Sequence, residues 1–252
     1  MRESTAGGRL RAVPTLPSRA AWRSLPLRLV HVTLGLALFG FSLACMLRAG
    51  VGLGPWDVFH EGLAQRTPLS VGQAIVATGF ALLVFAAVVA KIRPGLGTVL
   101  NMLQVGLWVD LFLGSALVPR PGDWWSGAAL FALGLVLNGV ATGLYLSAGL
   151  GAGPRDGFTL GLARLLGTTV ARARTLVEVS VLLSGWALGG TVGVGTLVFA
   201  FTIGPQMQAW LRVFAPLERA YERLARSRRR LARSRRRLAR PRPERRTPPP
   251  PA

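Results

Sequence analysis

Long apolar runs alternate with short polar or glycine-rich breaks along the chain. Six runs, at residues 29–47, 71–90, 97–118, 126–148, 170–188 and about 194–211, are eighteen to twenty-three residues long. At a rise of ~1.5 Å per residue, each is about as long as a ~30 Å hydrocarbon layer is thick. The first is bracketed by Arg28 and Arg48 and interrupted only by His31, Thr33 and Ser42. It exceeds the ~7 to 15 apolar residues of a signal sequence, so it reads as a permanent helix rather than a cleaved leader. The pattern predicts an all-α, polytopic membrane protein with six transmembrane helices.

Two segments between the runs behave differently. GPWDVFHEGLAQ, from Gly54, and GPRDGFTLGLAR, from Gly153, are too short to span, yet each opens as a helix should. Gly stands at the cap, Pro at the first helical position where no N–H is needed, and Asp in the first turn, facing the positive end of the dipole. They predict short non-spanning helices, lying in the interface or dipping in as re-entrant elements. The flanking glycines permit a sharp reversal.

These segments belong to a longer repeat. An offset of 99 pairs Gly50, Gly52, Gly54, Pro55, Asp57 and Gly62 with Gly149, Gly151, Gly153, Pro154, Asp156 and Gly161. An offset of 98 pairs Gly95, Gly97, Thr98 and Gly106 with Gly193, Gly195, Thr196 and Gly204. Each unit holds three spans, an odd number, so the second must enter the bilayer from the opposite side. Two inverted three-helix repeats are expected, at about 29–118 and 126–214, each with one GPxD helix. Many secondary transporters are built this way, with substrate bound near the midplane between repeats. Duplication of a merely stable three-helix unit is the plainer alternative.

Charge sharpens this picture. Of 252 residues 51% are hydrophobic and only 16% charged, with a formal charge of +20 gathered in blocks between the apolar runs. With the amino terminus inside, the cytoplasmic segments short of the tail hold twelve Lys and Arg against three (Arg48, Arg66, Arg120) on the other face. Basic residues favour the cytoplasmic side, so both termini are expected in the cytoplasm of a bacterial cell membrane. Residues 1–27 read as a basic disordered arm, 28–214 as the membrane domain and 215–252 as an Arg-rich cytoplasmic tail with a Pro-rich end. LARSRRR occurs twice in tandem from Leu224, with leucines seven apart, but Arg228 and Arg235 fall on the second seam of a zipper. A basic helix on anionic inner-leaflet lipid fits better than a coiled coil, and nucleic-acid binding is not favoured. Cys45 is the only cysteine, which rules out an intramolecular disulfide. The aromatics Trp22, Trp124, Trp125, Tyr145, Trp186 and Trp210 fall near proposed span ends, where headgroups favour them.

Candidate chemistry lies in the short helices and inside the spans. Asp57 and Asp156 read as caps of their own helices, the commoner use, or as ligands of a cation or proton. Trp56 and His60 distinguish the first segment and Arg155 the second; His60 reads as a solvated loop histidine that titrates near neutrality. Asn101, Gln104 and Asp110 lie on the third spanning run and Asn138 on the fourth. Glu178, roughly 12 Å along its helix from residue 170, is a carboxylate at costly depth, and Arg174 one turn earlier is its natural partner. Small residues at Gly40 and Ala44 match Gly139 and Gly143, and are expected to pack the first spanning run against the fourth.

GPWDVFHEGL, the following SVGQA, GTVLNMLQVGLWVD, GPRDGFTLGLAR, GGTVGVGTLVFA and IGPQMQ, together with Arg174 and Glu178, resemble the bacterial YczE-like family within the YczE/YyaS/YitT group. The resemblance covers roughly residues 25–214. It implies a multi-pass membrane protein and brings no ligand or activity with it. Walker loops, nucleophile elbows, HExxH and dinucleotide fingerprints are absent from the sequence, so no enzyme, metal or cofactor is expected. The leading expectation is a transporter-like permease or exporter of a small molecule or ion. Its rival is a membrane scaffold or regulator that binds a partner and moves nothing.

Overall fold

The computed structural model describes residues 25–92 and 94–238; the arm up to residue 24 and the Pro-rich end past 238 lie outside the described residues. The described regular structure is helical throughout. It comprises α1 (Leu25–Ala49), α2 (Pro55–Arg66), α3 (Val71–Val88), α4 (Leu96–Gly114), α5 (Trp124–Ser147), α6 (Pro154–Leu165), α7 (Val170–Ala187) and α8 (Val194–Leu238). The two GPxD segments form twelve-residue helices with Pro at the start and extended glycine caps at Gly54 and Gly153. Four helices, α1, α3, α4 and α5, are long and apolar enough to cross a membrane. The remaining long helices are more polar: α7 carries Arg172, Arg174 and Glu178, and α8 continues past its apolar start through Pro205 and Pro216 into the Arg-rich tail. Sequence reading ended that run near residue 211. The helix instead continues through Pro216 to Leu238; Pro205 lies within the expected run, and membrane helices tolerate such a proline when neighbours satisfy the freed carbonyls.

α1 and α5 pack against each other along the centre of the bundle. Their backbones approach at Gly35, where a Cβ would sit 2.8 Å from Tyr145, and at its repeat counterpart Gly134, 2.8 Å from the Ser42 carbonyl. This corrects the expected use of the small residues. Gly40 receives Trp108 of α4, and Gly139 and Gly143 receive Trp210 of α8. Ala44 is wholly buried. The small residues therefore seat α4 on α1 and α8 on α5, while the α1–α5 seam uses two glycines not singled out from sequence. Trp210, stacked on Phe214, is thus a packing residue rather than a headgroup anchor, and Tyr145 is buried; Trp124, Trp125 and Trp186 are exposed.

Matching contacts recur in the two halves. The Gly195 N–H donates to the Val51 carbonyl at 2.8 Å, and the Gly97 N–H donates to the Leu150 carbonyl at the same distance. Thr196 Oγ1 accepts from Gly193 at 3.2 Å, and Thr98 Oγ1 accepts from Gly95 at 3.3 Å. Gly50 and Gly149 have φ of 67° and 66°, and Gly52 and Gly151 have 117° and 125°, a left-handed region that residues with a Cβ rarely adopt. These turns lay the 50–54 strand of chain along the first turns of α8 and the 149–153 strand along the first turns of α4. α2 then packs on α7, as α6 packs on α3.

One pairing breaks the match. α3 and α4 touch backbone to backbone, since a Cβ on Gly72 would meet the Gly106 carbonyl and a Cβ on Gly106 would meet that of Gly72. α7 and α8 make almost no contact with each other. Gly204, the counterpart of Gly106, has no atom within 4 Å of its Cβ position.

Candidate functional site

The amino-terminal ends of α2 and α6 meet. Asp57 Oδ1 lies 3.8 Å from Arg155 Nη2, although the two residues are 98 apart in sequence. The Arg155 guanidinium also rests over the Trp56 ring, 5.0 Å from its centroid. Between these helix ends and α3, α4, α5, α7 and α8 lies a cavity of about 170 Å³. It brings together Trp56, Asp57, His60, Asn101, Asn138, Arg155, Asp156, Arg174 and Glu178.

Asp57 is the most constrained of these groups. Its side chain is buried, its Oδ1 has no hydrogen-bond partner, and no side chain caps α2. An ionised carboxylate in that position loses hydration without full compensation, so it favours a proton or a bound cation. His60, expected in a solvated loop, is 1% exposed, with Nδ1 4.0 Å from Asp57 Oδ1 and no hydrogen-bond partner of its own. The correction follows from helix geometry: positions 57 and 60 share one face of α2, which is the face turned inward.

Arg174 Nε donates to Glu178 Oε1 at 2.9 Å, the partnership expected from their spacing. The pair is open, with 53% and 38% of the side chains exposed at the edge of the cavity. Asp156 is exposed as well, and lines the same cavity. Asn138 donates through Nδ2 to Ser42 Oγ at 3.3 Å, tying α5 to α1. Asn101 Oδ1 lies beside Gly153, at the entry to α6.

Two expected residues stand apart. Gln104 does not line the cavity, and its Oε1 is buried without a partner. Asp110 holds the start of α3, accepting from Ser70 Oγ at 2.5 Å and from the Gly72 N–H at 2.8 Å. Sequence reading put Tyr145 at a span end and not at the site; it is buried against the cavity and edge-on to Phe39 at 6.2 Å between centroids. Its signal was present in the spacing: Asn138, Thr142 and Tyr145 form a polar stripe along one face of an otherwise apolar helix.

The family of unknown function DUF6198 matches residues 26–212. An uncharacterised membrane protein of Bacillus subtilis, YczE, is 33% identical over 183 residues, covering 72% of this chain and 84% of its own length. An uncharacterised protein of Haemophilus influenzae is 32% identical over 216 residues, 83% of this chain and 95% of its own. The uncharacterised protein YyaS of Bacillus subtilis is 27% identical over 194 residues, 76% of this chain and 94% of its own. No solved structure is significantly similar.

Proposed function

Because the chain belongs to the YczE-like membrane-protein family described by DUF6198, we propose that it is a permease of the bacterial cell membrane that carries a small molecule or ion through the cavity between α2 and α6. The observation that carries this reading is the convergence of two short helix ends on one cavity, with the buried Asp57 carboxylate only partly neutralised. Gly- and Pro-interrupted segments at matching places in two halves mark the substrate site of many transporters. A catalytic reading has no comparable support.

In this account the chain spans six times. α7 is less apolar than the others because Arg174 and Glu178 serve the cavity rather than the lipid. The first eighteen residues of α8 reach ~27 Å at ~1.5 Å each, enough to cross with a thin margin. The hydrogen bonds matched between Val51 and Gly195 and between Leu150 and Gly97 support two units lying antiparallel. The basic residues favour cytoplasmic termini, which puts the Arg172 end of α7 inside. α3 and α4 are then latched at their outer ends while α7 and α8 stand apart towards the cytoplasm. Exchanging those two arrangements would open the cavity to one side and then the other. The tail would rest against anionic inner-leaflet lipid.

Reconstitution in proteoliposomes with a panel of labelled ions and small solutes tests the proposal. The expected result is flux of at least one solute that is lost in Asp57→Asn and Glu178→Gln proteins with unchanged elution and unfolding behaviour. Absence of flux across the panel in folded wild-type protein contradicts it.

A further inference from the structure

The gap between α7 and α8 says what kind of substrate the cavity takes. Its edges are the exposed Arg174 and Glu178 on one side and Ile203 and Met207 on the other, all of which line the cavity. Its counterpart between α3 and α4 is closed by glycine contact, whereas Gly204 faces open space. The gap lies between two helices, and on α8 it includes Gly204, whose Cβ position meets no atom within 4 Å. Beyond it stand Leu176, Val179, Val198 and Phe201, all exposed. A cavity bounded by that gap would open sideways onto lipid.

The polar end of that path is acidic. Asp57, Asp156 and Glu178 face Arg155 and Arg174, three carboxylates against two guanidiniums. Arg174 is taken up by Glu178 at 2.9 Å, and Arg155 is divided between Asp57 and the Trp56 ring, leaving Asp57 Oδ1 without a hydrogen bond. One proton or one hydrogen-bonding monocation balances the set. The Trp56 ring lines the cavity beside Asp57 and its face attracts a cation, which suits an organic ammonium. The cavity, at about 170 Å³, is smaller than the ~300 to 1,000 Å³ of sites that enclose a drug-sized ligand. A headgroup fits, and a chain attached to it must stay in the slit.

We propose that the substrate is a cationic amphiphile, drawn from the lipid phase with its amine against Asp57 and its apolar chain between α7 and α8. This rests on the permease reading and narrows it. The slit admits the chain sideways, so the headgroup crosses without the chain leaving lipid, and the Arg174–Glu178 pair at the mouth is solvated by the passing headgroup.

The experiment measures binding by the full chain in phosphatidylcholine nanodiscs, read as the thermal unfolding midpoint against probe concentration. The probes are dodecylammonium, dodecyl sulfate and ethylammonium, the first two kept below micelle formation. Dodecylammonium is expected to raise the midpoint, dodecyl sulfate to leave it unchanged, and ethylammonium to need at least about tenfold more for the same shift. The concentration needed should rise by about tenfold or more in Asp57→Asn, through loss of the buried charge partner. Gly204→Trp, which fills open space and so keeps the fold, should weaken dodecylammonium while leaving ethylammonium unaffected. Equal shifts from dodecylammonium and dodecyl sulfate, or from dodecylammonium and ethylammonium, overturn the proposal. So does a dimer that Gly204→Trp abolishes without any probe binding, which would make a second copy the cover of the slit. Binding without flux would sink only the permease reading; Asp57-dependent flux of a small ion without amphiphile binding would sink only this one.

Discussion

Gly106 and Gly204 hold the same place in the two halves of the sequence and opposite places in the fold. A Cβ on Gly106 would lie 2.3 Å from the Gly72 carbonyl, while one on Gly204 would meet nothing within 4 Å. Gly106→Ala is therefore expected to destabilise the protein by about 1–3 kcal/mol, because backbone rather than a flexible side chain must give way. Gly204→Ala adds no clash and a better helix former, so it should stabilise by about 0.5–1 kcal/mol. Thermal unfolding of the two variants in the same detergent checks the contrast, and equal effects would contradict the open α7–α8 gap. No sequence pattern distinguishes these glycines, since both sit in an apolar helix beside a matched Gly-x-Gly-Thr. The difference lies in the neighbouring helix: Gly72 faces Gly106, whereas its counterpart, Ala171, carries a side chain.

At the scale of elements, the proposed permease turns on the contact between α3 and α4. Asp110 accepts from Ser70 Oγ and from the Gly72 N–H, joining the far end of α4 to the start of α3. Asp110→Ala removes the acceptor of both half-buried hydrogen bonds, a loss of about 1 kcal/mol. It should also loosen the outer closure. A single cysteine at Thr78, which lines the cavity from α3, should react faster with an impermeant thiol reagent added outside when Asp110 is Ala; an unchanged rate would show that this contact holds nothing shut. The starts of α2 and α6 were legible because Gly-Pro-x-Asp fixes a cap, a φ angle and a dipole partner within four residues. Their meeting was not, because Asp57 and Arg155 come together only after two repeats fold against each other. α8 misled in the other direction: its apolar run ends near residue 211, yet the helix continues through Pro216 to Leu238.

For the whole molecule, six apolar runs, their flanking arginines and the doubled glycine pattern carried the helix boundaries to within a few residues, the end of α8 excepted, since lipid demands both length and segregation of charge. Fold-level packing was less visible. Gly40 and Gly139 were read as an α1–α5 seam and turn out to face Trp108 and Trp210, because a small residue says that something large comes close and not which helix brings it. The central claim is that two similar units lie antiparallel across six spans. Single cysteines at Gln65, Arg164 and Val192 test it, as all three residues are exposed and the native Cys45 is buried. An impermeant maleimide added to intact cells should label positions 65 and 192 but not 164, and inverted vesicles should give the reverse. Labelling of 65 and 164 from the same side, or of 192 from the cytoplasm, would contradict the account.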